Sequence, residues 1–404
     1  MRRWAVLTVA LVMVAAACGG SDDDAAPEAT AAATDPATTE PATTAPAATE
    51  PATTDSTEPQ TTETETTEPV STEPATTEPA EPAVGEWMSV AADDCMCADG
   101  SAYELWERPA DPTKVVLYFE GGGACFSAES CSFTDGTYTS SIDLGVSPDG
   151  RGGIFDPTNP ENPLADHSFV YVPYCTGDVF LGNNTQVYSD TLTVEHTGFV
   201  NATKGLDTVL ANYPDVEQLV VTGASAGSIP TPAFAGLASD ELPDTEIITF
   251  GDSSAAYPDA GPINALIGNL WGTTNNIPDW PVNEGITAEE WSLPGLYVQA
   301  GKHAPSITFA RFDYAYDDVQ SSFAALAGIP ADDLLAFIEQ TESEIEAEGV
   351  PIASYIAPGT EHTIIGGDDF YEMEVEGVRL VDFLATLVAG EVPDDVSCVE
   401  CGRP

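Results

Sequence analysis

Short apolar runs recur along the second part of the chain, each closed by glycine or a polar turn. Residues 114–120 (K-V-V-L-Y-F-E) run into a glycine triplet, and 168–174 (S-F-V-Y-V-P-Y), 218–222, 247–250 and 352–357 share the same β-rich character. Between them, 198–213 repeats apolar residues at helical spacing through Val200, Leu206, Val209 and Leu210. Residues 331–347 and an amphipathic stretch around 375–389 read as helices too. Strands that are apolar on both faces need cover on both faces, which a parallel sheet with helices packed on each side supplies. The pattern predicts an α/β fold, doubly wound around a mostly parallel sheet. No repeat or second low-complexity break interrupts 85–404, so one domain is expected.

The first 84 residues break this pattern. Arg2 and Arg3 precede the apolar stretch 4–17, and Ala15-Ala16-Ala17 stand just before Cys18. A bilayer-spanning helix needs about 20 apolar residues, so this stretch is too short to span. It reads as an export signal over 1–18 of the lipoprotein type, with Cys18 as the lipidated residue that holds the chain at a membrane. An ordinary secretory signal with an incidental cysteine is the alternative, and it exports the chain equally. Residues 19–84 are nearly all Thr, Pro, Ala, Glu, Ser and Asp. Such a stretch cannot bury a core and is expected to be a disordered tether reaching on the order of 200 Å. Acidic residues number 67 against 10 basic ones, of which 52 and 8 fall in 85–404, a formal charge of −44. Phosphate binding needs clustered Lys and Arg, so no nucleic-acid partner is expected.

The strongest chemical signal is Gly223-Ala224-Ser225-Ala226-Gly227, directly after the strand-like L-V-V-T. A serine at the tip of a strand-to-helix turn needs small residues two before and two after it, because the backbone doubles back tightly there. A hydroxyl nucleophile also needs donors for the oxyanion, and backbone N–H groups at glycines offer them with no side chain in the way. Glu120-Gly121-Gly122-Gly123-Ala124-Cys125 closes the earlier strand and is the candidate loop. A base must follow in the order serine, acid, histidine. Of His167, His196, His303 and His362, only His362 follows a strand near the C-terminus, in P-G-T-E-H-T. Asp317 lies between Ser225 and His362, with Asp313, Asp318 and Asp252 as competitors that spacing does not rank.

Taken in order, Y-F-E-G-G-G-A-C-F-S-A-E-S-C, V-P-Y-C-T-G-D-V-F-L-G, G-A-S-A-G, Y-D-D-V-Q and G-T-E-H resemble the pectin acetylesterase family, which includes the Notum carboxylesterases. The similarity runs from about Cys95 to Phe383. It implies an α/β-hydrolase fold and an exported serine esterase that needs no cofactor or metal. Carried over by position, it implies Ser225 as nucleophile, His362 as base, Asp317 as acid, and the N–H groups of Gly122, Gly123 and Ala226 as oxyanion donors. The family spacing C-F-x-x-x-x-C also implies a Cys125–Cys131 disulfide. Two further pairs among Cys95, Cys97, Cys175, Cys398 and Cys401 leave one thiol over. A zinc site of Cys95, Cys97, Cys398 and Cys401 is the alternative, opposed by oxidation outside the cytoplasm.

The expected substrate is an acetylated polysaccharide, cleaved by a monomer at the cell surface or in the periplasm. A Notum-like carboxylesterase of longer acyl esters and a non-catalytic surface-binding lipoprotein are the alternatives. Where family members carry Trp after two glycines, this chain has Gly123, and the loop is expected to collapse into a closed acetyl-sized slot. Because 19–84 lacks apolar content, a chain beginning near Gly85 is expected to fold and to hydrolyse p-nitrophenyl acetate with essentially the full-length kcat/KM. Loss of activity in a soluble truncation would move the boundary.

Overall fold

The computed structural model describes residues 85–329 and 333–402. The expectations for 1–84, Cys18 among them, and the predicted helix start at Ala331 lie outside the described residues. Thirteen strands follow in chain order among the described residues: β1 (Met88–Met96), β2 (Ala102–Arg108), β3 (Asp111–Phe119), β4 (His167–Val172), β5 (Asn184–Ser189), β6 (Leu192–His196), β7 (Gln218–Ala224), β8 (Glu246–Asp252), β9 (Thr308–Tyr314), β10 (Ile352–Ala357), β11 (Glu374–Val375), β12 (Val378–Arg379) and β13 (Val396–Ser397). The helices are α1 (Gly198–Asn212), α2 (Thr231–Glu241), α3 (Gly261–Trp271), α4 (Leu293–His303), α5 (Asp318–Leu326), α6 (Leu334–Ala347), α7 (Asp369–Glu372) and α8 (Leu380–Val388).

Nine strands form the central sheet in the order β1-β2-β4-β3-β7-β8-β9-β10-β13. From β4 onward every pairing is parallel, whereas β1 and β2 add an antiparallel edge. The fold is α/β and mostly parallel, similar to an α/β hydrolase. Alternate residues of each central strand enter different cores. Val115, Leu117 and Phe119 of β3, with Leu219 and Val221 of β7, pack with α1, α2 and α4. Val116, Tyr118, Val220, Ile248 and Phe312 pack on the opposite face with Leu380, Phe383 and Leu387 of α8. Burial on both faces is why these strands read as unbroken apolar runs.

The chain leaves β3 toward β4 on one side and returns to β7 on the other. That reversal puts a crevice at the carboxyl ends of β3 and β7, the place where open α/β sheets bind ligands. One boundary departs from expectation: the C-terminal helix begins at Leu380 rather than near 375. Glu376 and Gly377 both have positive φ, at 50° and 85°, and close a two-residue hairpin in which Val375 pairs with Val378. That turn shape requires left-handed backbone at both central positions and so ends any helical run there.

Candidate active site

Ser225 stands immediately after β7, at φ 55°, in a left-handed conformation that a serine adopts only when its surroundings enforce it. The enforcement comes from crowding on both sides. A methyl group at Gly223 would meet the Gly227 carbonyl oxygen at 2.2 Å, and one at Gly227 would meet the Phe119 carbonyl oxygen at 2.1 Å. Both neighbours are backbone, so the turn closes only with glycine at each position.

The other chemistry-bearing side chains come from the same ends of the sheet. His362 lies beyond β10, its Nε2 2.7 Å from Ser225 Oγ and its Nδ1 2.7 Å from Asp317 Oδ2. An ionised carboxylate only accepts, so Nδ1 carries the proton and the Nε2 lone pair faces the serine hydroxyl. This arrangement can draw a proton off Ser225 and hold the resulting imidazolium. Asp317 is fully buried between β9 and α5, where it caps α5. Its Oδ1 accepts from Val319 N–H at 2.8 Å and Gln320 N–H at 2.9 Å.

The three competing acids have other partners. Asp252, fully buried at the end of β8, accepts from the N–H groups of Ile364 and Ile365 at 2.8 and 3.0 Å and thereby anchors the loop that carries His362. Burial raises its carboxyl pKa. Asp313 accepts from Ala255 N–H and from the Gln320 amide. Asp318 is exposed, its N–H donating to Thr360 O. Spacing had left Asp252 as a rival acid, and the signal for its anchoring role was its position at a strand's carboxyl end.

Gly122, Gly123 and Ala226 border Ser225, and among the described residues the N–H groups of Gly122 and Gly123 donate to no protein acceptor. Gly123 has φ 77°, and a methyl group there would strike the Thr137 carbonyl oxygen at 2.1 Å. The triplet is held in place by Thr139 N–H donating to Gly122 O and by the Cys125–Cys131 disulfide just beyond it. Cys97 pairs with Cys175 and Cys398 with Cys401. The alternative zinc set is therefore not assembled. Cys95 is the remaining thiol among the described residues, its pKa pushed up to about 11 by burial.

Two cavities meet at Ser225 and Gly123. One is a slot of about 140 Å³ lined by Ile229, Ile263, Ile267, Leu293 and Leu296, with Trp271 among its lining residues. Trp271 Nε1 donates to Cys125 O at 2.7 Å, which ties α3 to the disulfide loop. The other is an open cleft that includes Glu120, Arg151, His362, Thr363 and Asp369. Arg151 pairs with Glu120 at 2.5 Å and lies over the Tyr171 ring. The closed acetyl-sized slot expected from Gly123 is thus not what the fold builds. Much of the wall comes from α3 and α4, and Gly123 is required by its own backbone geometry.

Residues 86–260 match the family model described as Pectinacetylesterase. That stretch contains Ser225 and the glycine triplet, while Asp317 and His362 lie beyond it. The Palmitoleoyl-protein carboxylesterase NOTUM of Schmidtea mediterranea is 27% identical over 145 residues, spanning 33% of this chain and 26% of that protein. Palmitoleoyl-protein carboxylesterase notum2 of Xenopus laevis is 32% identical over 91 residues, spanning 22% of this chain and 19% of that one. The chain thus spans about a quarter or less of the length of these curated relatives. The structure of the Wnt deacylase Notum from Drosophila aligns with TM-score 0.58 and 16% identity, over 78% of this chain and 97% of that one, a likeness of fold.

Proposed function

We propose that this chain, whose residues 86–260 match the Pectinacetylesterase family model, is an exported serine carboxylesterase using Ser225, His362 and Asp317 by two-step acyl transfer. Ser225 Oγ attacks the ester carbonyl while His362 Nε2 takes its proton, and Asp317 holds the ring in the required tautomer. The oxyanion is met by the N–H groups of Gly122, Gly123 and Ala226. The imidazolium passes the proton to the departing alcohol. Water, deprotonated by the same histidine, then releases the acid. What supports this reading is the unbroken hydroxyl–imidazole–carboxylate contact at 2.7 Å in each link, beside two glycine N–H groups that donate to no acceptor among the described residues. Export is supported by the signal-like residues 1–18 and by cysteine pairing, with membrane attachment through Cys18 and a monomeric chain as parts of the same proposal.

The observation that selects a substrate class is the pair of unlike cavities meeting at Ser225. The aliphatic slot suits an acyl chain longer than acetyl, as in the palmitoleoyl esters named for the curated relatives. The cleft with Glu120 and Arg151 suits a polar alcohol component such as a sugar or a hydroxylated side chain. Each buried methylene contributes about 0.8 kcal/mol, so kcat/KM for p-nitrophenyl esters should rise roughly threefold to fourfold per carbon from acetate to hexanoate. A maximum at acetate would instead return the substrate to the acetylated polysaccharide that the family's name suggests. A Ser225→Ala protein with undiminished hydrolysis would overturn the esterase reading altogether.

A further inference from the structure

Behind the Ser225–His362–Asp317 contacts lies a second buried carboxyl that the mechanism above does not use. Asp313, on β9, is 1% exposed. Its Oδ1 accepts from Ala255 N–H at 3.0 Å and from Gln320 Nε2 at 2.9 Å, while its Oδ2 has no partner. The same Gln320 nitrogen donates to Asp317 Oδ2 at 3.2 Å, the very oxygen that receives His362 Nδ1–H. The amide cannot be turned over without loss. Its Oε1 accepts from Ala256 N–H at 3.0 Å, so both amide hydrogens are committed to the two carboxylates. One fully buried NH2 group therefore bridges two acids, one of which orients the histidine.

We propose that Asp313 is a positioning residue for the esterase site: through Gln320 it orients the Asp317 carboxylate and sets a second negative charge behind His362. The inference rests on the esterase reading. The groups facing Asp313 are Arg311 on β9, Tyr257 from the segment after β8, Tyr297 on α4 and Asp317. Arg311 is in turn engaged by Glu342 of α6 at 3.1 Å. His362 is faced by Asp317 and by Asp252 at the end of β8. Burial pushes the Asp313 carboxyl up to about 6, with Arg311 opposing. Asp313 thus gains its charge as pH rises through about 6. A negative charge held there would favour positive charge on the ring that Asp317 orients, and the acid limb of the esterase profile is where that is read.

Asp313→Asn tests this, because Asn Oδ1 keeps both acceptor contacts while the charge is lost and the partnerless Oδ2 becomes an NH2 group. The experiment is the pH dependence of kcat/KM for p-nitrophenyl butyrate, read beside wild type and Ser225→Ala. The expected result is an acid limb moved down by roughly 0.5 to 1 pH unit, with kcat lowered threefold to tenfold and KM unchanged. Superimposed limbs, with Ser225→Ala inactive, overturn the role of Asp313 and leave the esterase reading standing. Activity in Ser225→Ala takes both down. Should Asp313→Asn not fold, the His362 ring resonance of Asp252→Asn, in which the carboxyl facing His362 from β8 no longer titrates, is followed by NMR against pH and carries the test. Two inflections are expected there, and a single one overturns the proposal.

Discussion

Asp317→Asn is expected to lower kcat by roughly 10⁴-fold while leaving the protein folded, the size of loss seen when the orienting acid of a serine–histidine pair is removed. The geometry explains why the effect falls on chemistry. Asn Oδ1 still accepts from the Val319 and Gln320 N–H groups and keeps the α5 cap. The group facing His362 Nδ1, however, becomes an NH2 that donates, so the imidazole loses its acceptor and takes the wrong tautomer. Asp252→Asn should cost far less in kcat, because Asp252 touches the loop after His362 and not the ring. A larger kcat loss at Asp252 than at Asp317, with both variants folded by circular dichroism, would transfer the role of the acid.

Gly227→Ala is expected to abolish esterase activity and to lower stability by several kcal/mol. The added methyl would sit 2.1 Å from the Phe119 carbonyl oxygen, 2.5 Å from its carbon and 2.6 Å from the Glu120 carbonyl oxygen. All three atoms belong to backbone at the end of β3, where the glycine triplet begins, so nothing flexible is available to move aside. Relief requires β3 and the serine turn to separate, which shifts Ser225 and the glycine triplet together. Displacements of about 1 Å at such a site cost on the order of a hundredfold in rate even when the fold survives. Thermal unfolding measured alongside kcat/KM checks both parts. An alanine variant with wild-type Tm and rate would mean that the turn is not as tightly enforced as its contacts indicate.

The central strands, the serine turn, the glycine triplet and His362 were legible along the chain because each is a local pattern. Strands buried on both faces stay apolar without interruption, and a turn that admits only glycine two before and two after the serine writes itself as G-x-S-x-G. The proposed acid, Asp317, was not legible from spacing, because a chain with 67 acidic residues offers too many; its assignment leaned on family resemblance. β9, the strand that leads to it, escaped notice for a related reason. Arg311 and Asp313 interrupt its apolar run, and they are buried there only because distant partners meet them: Ser354, Thr341 and Glu342 for the guanidinium, Ala255 and Gln320 for the carboxyl. Charged groups enter a core when hydrogen-bond partners wait inside, and those partners are set by chain crossings no local window contains.

The slot beside Ser225 divides along the same line. Sequence determined that Gly123 leaves no side chain after Gly122. It did not say where the wall would come from, since Ile263 and Ile267 on α3 and Leu293 and Leu296 on α4 come to line the same slot as Ser225 only through tertiary packing. Local pattern determines what a backbone can adopt and which face is apolar. Which side chains converge on one atom depends on how helices cross the sheet, and that was decided by the three-dimensional fold alone.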